Sequence, residues 1–215
     1  MLTIDLRYPG AEQIQSGHGW TVVTAWVFPV GRMLGLGTAA GTRPSLTLAI
    51  IGIMYKLDWG VPLNPTFHFL GYWMVIIVFV VLAIVESSFD KIPKLDRLQN
   101  RLTMPYRVVV GGVAGACTIP FGWQGLVVGA VVGAGAAWFA LFAKQLTRPK
   151  TVSSEAVLNL MGLWEDLAAL AGTLLTLLFS PVGYAMAGFT AVVLWSTRYR
   201  RRAKYRHMRR PGRRA

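Results

Sequence analysis

The strongest constraint on this fold is a long apolar run that ends in an acidic residue. The run covers residues 69–85 and contains no charged side chain, and Glu86 follows it directly. Its length of about 17 residues approaches the roughly 20 that a helix needs to cross the core of a bilayer. An ionisable group at membrane depth is costly and by default marks a functional site. Glu86 is therefore either a functional carboxylate or the polar end of a helix at the membrane interface.

Composition predicts a membrane protein rather than a soluble domain. Hydrophobic residues make up 54% of the chain and charged residues 14%, and the mean hydropathy is +0.48. Several apolar segments are too long for the core helices of a soluble protein. We therefore predict an all-α, polytopic transmembrane helix bundle of six or seven spans. The apolar segments are 20–41, 45–57, 68–85, 108–119, 122–143, 156–179 and 182–196.

A proline after Arg43 predicts a broken helix near Gly41 to Pro44. Pro44 has no amide hydrogen and disfavours the helical conformation at the residue before it. Interrupted backbone at membrane depth is tolerated only where it lines a cavity or is buried in protein. The break is therefore a candidate binding site, with an interfacial turn as the alternative. One crossing by residues 20–57 gives six spans and an inside N-terminus, whereas two crossings give seven and an outside N-terminus.

The sequence around this break suggests an internal repeat. Thr42-Arg43-Pro44 recurs as Thr147-Arg148-Pro149, each after a segment rich in Gly and Ala. Duplicated halves that meet at a site near the midplane are typical of transporter folds.

Basic residues predict the orientation of the chain in the membrane. Lys and Arg total 22 against 9 Asp and Glu, a net charge of +13, and ten of the cations lie in residues 198–215. Short loops rich in Lys and Arg stay cytoplasmic, so the loops after Glu86 and after residue 143 and the C-terminus are predicted on the cytoplasmic side. The chain then divides into an N-terminal extension (1–19), a transmembrane domain (20–197) and a basic cytoplasmic tail (198–215).

The tail predicts an electrostatic partner. Ten cations without an acid cannot bury an apolar face, so we expect the tail to bind anionic lipid or an acidic protein partner, and no specific nucleic acid. Self-repulsion should leave its distal part extended unless a partner neutralises it. The alternative is that the charges only set orientation and bind nothing.

A second acidic position lies in the segment that begins near residue 155. Glu165 and Asp166 point about 100° apart on a helix, so only one of them can face a given partner. Carboxylates at this depth need a cation nearby, and Lys144, Arg148 and Arg43 are the candidates. The alternative to a functional pair is a buried ion pair that locks two helices.

Other catalytic and metal-binding chemistry is sparse. The three histidines show no ligand spacing, Cys117 is the single cysteine, and no nucleophile has a base in a recognisable arrangement. We therefore expect no metal site, no cofactor and no enzymatic activity.

Charged, proline and small residues follow one another in an informative order along the chain. They are Val85-Glu86, Asp90-Lys91-Ile92-Pro93, Asp96, Arg107, Gly112, Ala114-Gly115-Ala116, Lys144, Thr147-Arg148-Pro149 and Glu165-Asp166-Leu167. Over about residues 35–196 this order resembles the bacterial integral membrane family called domain of unknown function 4126. The string Glu-x3-Asp-Lys-x-Pro-x2-Asp is its most specific part. The chain departs from the family at Ser87-Ser88-Phe89, where apolar residues and Ala are usual, and in its N-terminal extension and tail.

The resemblance implies a helical protein of the bacterial inner membrane and supports the choice of residues, but it implies no reaction. Two functions remain open. One is a small transporter or lipid-handling protein that binds an anionic group at the Arg- and Lys-lined helix breaks, with intramembrane carboxylates supplying proton or cation coupling. The other is a non-catalytic subunit or scaffold of a homo-oligomer or larger membrane complex. The candidate substrate- or ion-binding residues are Arg43, Glu86, Asp90, Lys91, Arg107, Lys144, Arg148, Glu165 and Asp166.

Overall fold

The described part of the chain is entirely helical. The computed structural model describes residues 19–89, 103–119, 122–147 and 155–208, and these contain seven α helices, one 3₁₀ helix and no strand. The prediction of an all-α fold is confirmed for these residues. The helices are α1 (Gly19–Thr42), α2 (Pro44–Lys56), the 3₁₀ helix (Pro65–Gly71), α3 (Trp73–Phe89), α4 (Met104–Cys117), α5 (Gly122–Thr147), α6 (Glu155–Leu178) and α7 (Val182–Met208).

The predicted helix break lies at Arg43. α1 ends at Thr42 and α2 begins at Pro44, and Arg43 between them has φ −140° and ψ 80°, outside the helical region. Pro44 occupies the first helical position, where its missing amide hydrogen costs nothing.

The start of α3 differs from the sequence prediction. The apolar segment was expected to be helical from residue 68, but residues 65–71 form the 3₁₀ helix, which meets α3 at an angle of 68°. Asn64 starts this turn, since its side chain accepts a hydrogen bond from the amide of Thr66 at 3.1 Å. The continuous helix therefore begins only at Trp73.

Contacts along the helices show that consecutive helices alternate in direction. Gly37 of α1 faces Gly133 of α5, and Gly41 faces Ala137, so α1 and α5 run in the same direction. On α4, in contrast, Gly111 faces Ala137 and Gly133, and Gly115 faces Gly129 and Gly133, so α4 runs in the opposite direction.

The remaining helices follow the same alternation. Ser45 at the start of α2 contacts Tyr106 near the start of α4, and Thr47 of α2 lies 3.5 Å from Thr173 of α6. Arg43 contacts Asp166 earlier on α6, so α2 and α6 run in the same direction. Ser87 near the end of α3 also contacts Asp166, and Arg198 of α7 lies beside Phe142 near the end of α5. α1, α3, α5 and α7 therefore finish at one end of the bundle, where α2, α4 and α6 begin. We call this the charged end.

Close packing of α1, α4 and α5 depends on small residues. A Cβ atom at Gly37 would lie 2.8 Å from the Cα of Gly133, and one at Gly115 would lie 2.9 Å from the same Cα. Gly133 thus lies in both the α1–α5 and the α4–α5 interface. Small residues at such spacing allow helix backbones to approach closely.

Helices α5 and α3 expose apolar surface. α5 is long and apolar enough to cross a membrane, and a second such span is obtained if the 3₁₀ helix and α3 are counted together. Among the residues of α3 only Ile76 and Glu86 are buried. Its exposed side chains include Met74 at 76% and Ile84 at 62% exposure. By length and composition, the described residues therefore contain one helix that could cross a membrane, or two such spans if the 3₁₀ helix and α3 form a single one.

The last helix extends beyond its predicted end. α7 continues to Met208, so residues 198–208 of the predicted basic tail continue the last helix. An established helix adds residues at little cost, and Arg, Lys and Tyr do not terminate it. Residues 209–215 lie outside the described part.

Candidate functional site

The helix break places a buried guanidinium at the charged end. Arg43 is 2% exposed, and its Nε lies 2.5 Å from Oδ1 of Asp166 on α6. Its Nη2 also donates to the carbonyl oxygen of Gly162, 3.4 Å away on the same helix. The break between α1 and α2 is thereby connected to the first half of α6.

A second ion pair connects α5 with α6. Nζ of Lys144, in the last turn of α5, lies 2.7 Å from Oε2 of Glu165. The Lys144 side chain is 3% exposed and that of Glu165 19%. Because Glu165 and Asp166 point in different directions from α6, each takes a separate cation.

Ser87 connects α3 to the same region. Its hydroxyl donates to Oδ2 of Asp166 at 2.6 Å, so Asp166 accepts from α3 while it pairs with Arg43. Asp166 thus links the helix break and α3 to α6.

Arg107 of α4 binds the end of α1. Its side chain is fully buried, and Nη1 donates to the carbonyl oxygen of Thr42 at 2.9 Å and to that of Gly41 at 3.5 Å. Its Nε also donates to the hydroxyl of Thr103 at 3.2 Å. A cation is favourable at this position because the last carbonyl groups of a helix lack partners within it.

Glu86 adds a buried carboxylate at the charged end, next to Ser87 along α3. It is 7% exposed, whereas most of α3 around it is open. The charges of Arg107, Arg43 and Lys144 and the hydroxyl of Ser45 all act on its carboxyl group. Its Oε2 atom is buried and has no hydrogen-bond partner among the described residues. Glu86 is therefore not a polar cap at the end of its helix.

Six of the nine predicted site residues belong to this arrangement. We call it the charged cluster: Arg43, Glu86, Arg107, Lys144, Glu165 and Asp166. The prediction that buried cations at the breaks approach the carboxylates is confirmed for Arg43 and Lys144. The other three predicted residues, Asp90, Lys91 and Arg148, lie outside the described residues.

Comparison with known proteins identifies the family. The model of the family described as Domain of unknown function (DUF4126) matches residues 30–199. The chain belongs to this family. No curated protein and no solved structure matches it. The DUF4126 match contains every member of the charged cluster.

Several polar residues of this DUF4126 protein were missed by the sequence analysis. Ser45 is fully buried and shares a 2.9 Å hydrogen bond with the hydroxyl of Tyr106. Arg32, also buried, donates to Oγ of Ser180 at 2.9 Å and to the carbonyl oxygen of Leu177 at 3.1 Å, which ties α1 to the end of α6. Arg32 had a recognisable signal, since it is an isolated cation in an apolar segment. Ser45 and Tyr106 had none, because their roles depend on tertiary contacts.

Proposed function

We propose that this chain is a polytopic integral membrane protein whose charged end faces the cytoplasm. The alternating helix directions, the exposed apolar surface of α3 and the basic residues at the end of α7 support this proposal. α1 and α2 run in opposite directions across the break, which favours seven passes and an outside N-terminus, with α2 and α4 shorter than a full span.

A cysteine at Val78 is expected to resist a water-soluble maleimide in intact membranes. Val78 is 54% exposed, so only lipid or a partner protein would exclude the reagent. A cysteine at the exposed Lys56 should react rapidly under the same conditions. The native Cys117 is fully buried and adds little background. The measurement is the labelling rate of each variant in sealed vesicles and after unfolding in detergent. Equal rates for both positions in intact membranes would contradict burial of α3 in lipid.

Within this membrane protein we propose a transport or lipid-handling function, in which the charged cluster binds an anionic group. The observation that carries the proposal is Glu86, a buried carboxylate on whose charge three cations act and whose Oε2 has no hydrogen-bond partner among the described residues. The two ion pairs already connect α5 and the helix break to α6, so Glu86 is not needed for these connections. A buried ionisable group in a membrane bundle is a substrate or proton site by default.

Charge balance within the cluster suggests how binding is coupled to protons. With every group ionised, three cations face three carboxylates. Protonation of Glu86 leaves one excess positive charge, which an incoming anion can neutralise. The other titratable or charged groups around Glu86 are Tyr106 and Arg107 on α4, Arg43 at the break, Lys144 on α5, and Glu165 and Asp166 on α6. An anion would therefore enter together with a proton, and binding would strengthen as pH falls.

Substitution of Glu86 by Gln is expected to uncouple anion binding from the proton. The wild type should take up roughly one proton for each anion bound, because Glu86 becomes protonated when the anion binds. Glu86→Gln should bind without proton uptake and with little dependence on pH. The measurement is calorimetry of sulfate, nitrate and chloride, which do not titrate between pH 5 and 8, in buffers of different ionisation enthalpy.

A matched control replaces an acid at the opposite end of the bundle. Asp58 is exposed after α2, so Asp58→Asn should retain the proton uptake of the wild type. Binding of an anion with equal proton uptake in the wild type and in Glu86→Gln would remove Glu86 from the coupling. Failure of all three anions to bind at any pH between 5 and 8 would contradict the anion site for these probes.

A second proposed function is a scaffold within a homo-oligomer or larger membrane complex. Its support is that the two ion pairs already satisfy four of the six charges and that the exposed face of α3 is available to a partner. On this proposal Glu86→Gln changes stability or assembly but no ligand affinity, so the same calorimetry separates the two functions. The end of α7 would then bind an acidic partner rather than anionic lipid.

A further inference from the structure

A groove lies between α1, α5 and α7, away from the charged cluster. It encloses about 600 Å³, which is within the range of small-molecule and lipid sites. Its walls are apolar along most of their length, from Leu34 and Val131 to Phe139 and Trp195. Thr38 and Thr190 are the only polar side chains of the lining apart from one cation.

That cation stands at one end of the groove. The guanidinium carbon of Arg198 lies 5.3 Å from the centre of the Phe142 ring, and Arg198 is exposed. α5 and α7 run in the same direction, so this end of the groove lies toward the charged end of the bundle. The basic residues that follow on α7 lie on the same side.

We infer that the groove binds one acyl chain of an anionic phospholipid, with the lipid phosphate at Arg198. The inference rests on the proposed membrane location. An apolar channel with a single cation at its end matches the charge distribution of such a lipid, and a guanidinium suits phosphate well. About 16 Å of helix separates Val131 from Phe142, enough for most of an extended acyl chain. The proposed cytoplasmic side is also where anionic lipid attracts cations.

The chain offers a substitution that fills the groove without disturbing the fold. Gly135 lines the groove, and a Cβ atom there would meet nothing within 4 Å. Gly188 on α7 has equally open surroundings but lies outside the lining, so it provides a matched control. Both replacements by Leu remove a helical glycine and should leave the bundle folded.

The experiment is native mass spectrometry of the full chain with palmitoyl-oleoyl phosphatidylglycerol or phosphatidylcholine. The wild type and Gly188→Leu should each retain one phosphatidylglycerol. Gly135→Leu should bind either lipid roughly tenfold more weakly, because the side chain occupies the acyl channel. Thermal unfolding of each variant shows that the change is not a loss of fold.

A second pair of variants tests the headgroup contact. Arg198→Gln should abolish a preference of about fivefold for phosphatidylglycerol over phosphatidylcholine while retaining binding of the acyl chain. Arg200 lies about 200° further round the helix and carries the same charge, so Arg200→Gln should keep the preference.

Several results would overturn the inference. The first is that Gly135→Leu binds lipid as well as the wild type does. The second is that Gly188→Leu loses as much lipid binding as Gly135→Leu. The third is that Arg198→Gln and Arg200→Gln change the preference for phosphatidylglycerol equally. A wild-type dimer that Gly135→Leu dissociates without changing lipid retention would assign the groove to a second copy of the chain. None of these results bears on Glu86, and failure of anion binding at the charged cluster leaves the lipid result unchanged, so the two proposals fail separately.

Discussion

Replacement of Gly133 by Leu is expected to prevent formation of the folded bundle. A Cβ atom at Gly133 would meet the carbonyl oxygen of Gly111 and lie 2.9 Å from the Cα of Gly115. Both are backbone atoms of α4, so no side-chain rotation can relieve the contact. On its other side Gly133 faces Gly37 of α1, which blocks a compensating shift of α5. We expect a loss of at least about 3 kcal/mol in the free energy of unfolding, at the upper end of overpacking effects.

Gly135→Leu is the matched control for this prediction. It lies on the same helix, adds the same side chain and has open space around its Cβ position. Thermal unfolding and gel filtration of both variants in the same detergent provide the measurement. A Gly133→Leu protein that is monodisperse and melts within a few degrees of Gly135→Leu would show that α4 and α5 do not pack as described.

The sequence predicted the parts of the site that follow from local chemistry. Pro44 lacks an amide hydrogen and disfavours the helical conformation at the residue before it, which predicted a break near Gly41 to Pro44, and the break lies at Arg43. The energetic cost of buried charge predicted that Arg43 and Lys144 would find carboxylates, and both do.

The choice of partner was not predictable from the sequence. Arg43 pairs with Asp166 and Lys144 with Glu165, whereas the opposite assignment has the same composition and spacing. The assignment depends on the rotation of α6 about its axis, which is set by packing against α1 and α2.

The role of Glu86 was ambiguous for a similar reason. An apolar run that ends in an acid is compatible with an interfacial cap as well as with a buried group. Only the tertiary packing of α3 buries Glu86, which local sequence does not specify. The link from Ser87 to Asp166 is likewise a tertiary contact between distant segments.

Substitution of Asp166 by Asn is expected to destabilise the bundle by about 2 kcal/mol. It deprives a buried guanidinium of its charged partner, which typically costs about 3 to 5 kcal/mol in a fully buried pair. The Asp166 side chain is 29% exposed, so solvent screens part of the interaction and the lower value is appropriate. The hydrogen bond from Ser87 is retained in part, since an amide oxygen also accepts.

A double-mutant cycle with Arg43→Gln separates this interaction from the other contacts of either residue. Arg43 also binds the carbonyl oxygen of Gly162, so its single variant measures more than the ion pair. If the pair holds the break against α6, the double variant should be more stable than the sum of the single losses implies, by about 1 kcal/mol or more. The measurement is the change in unfolding free energy of the four proteins in mixed micelles. Additive losses would mean that the two side chains act independently, and the break would then be held by the backbone contacts of Arg43 and Arg107 rather than by the ion pair.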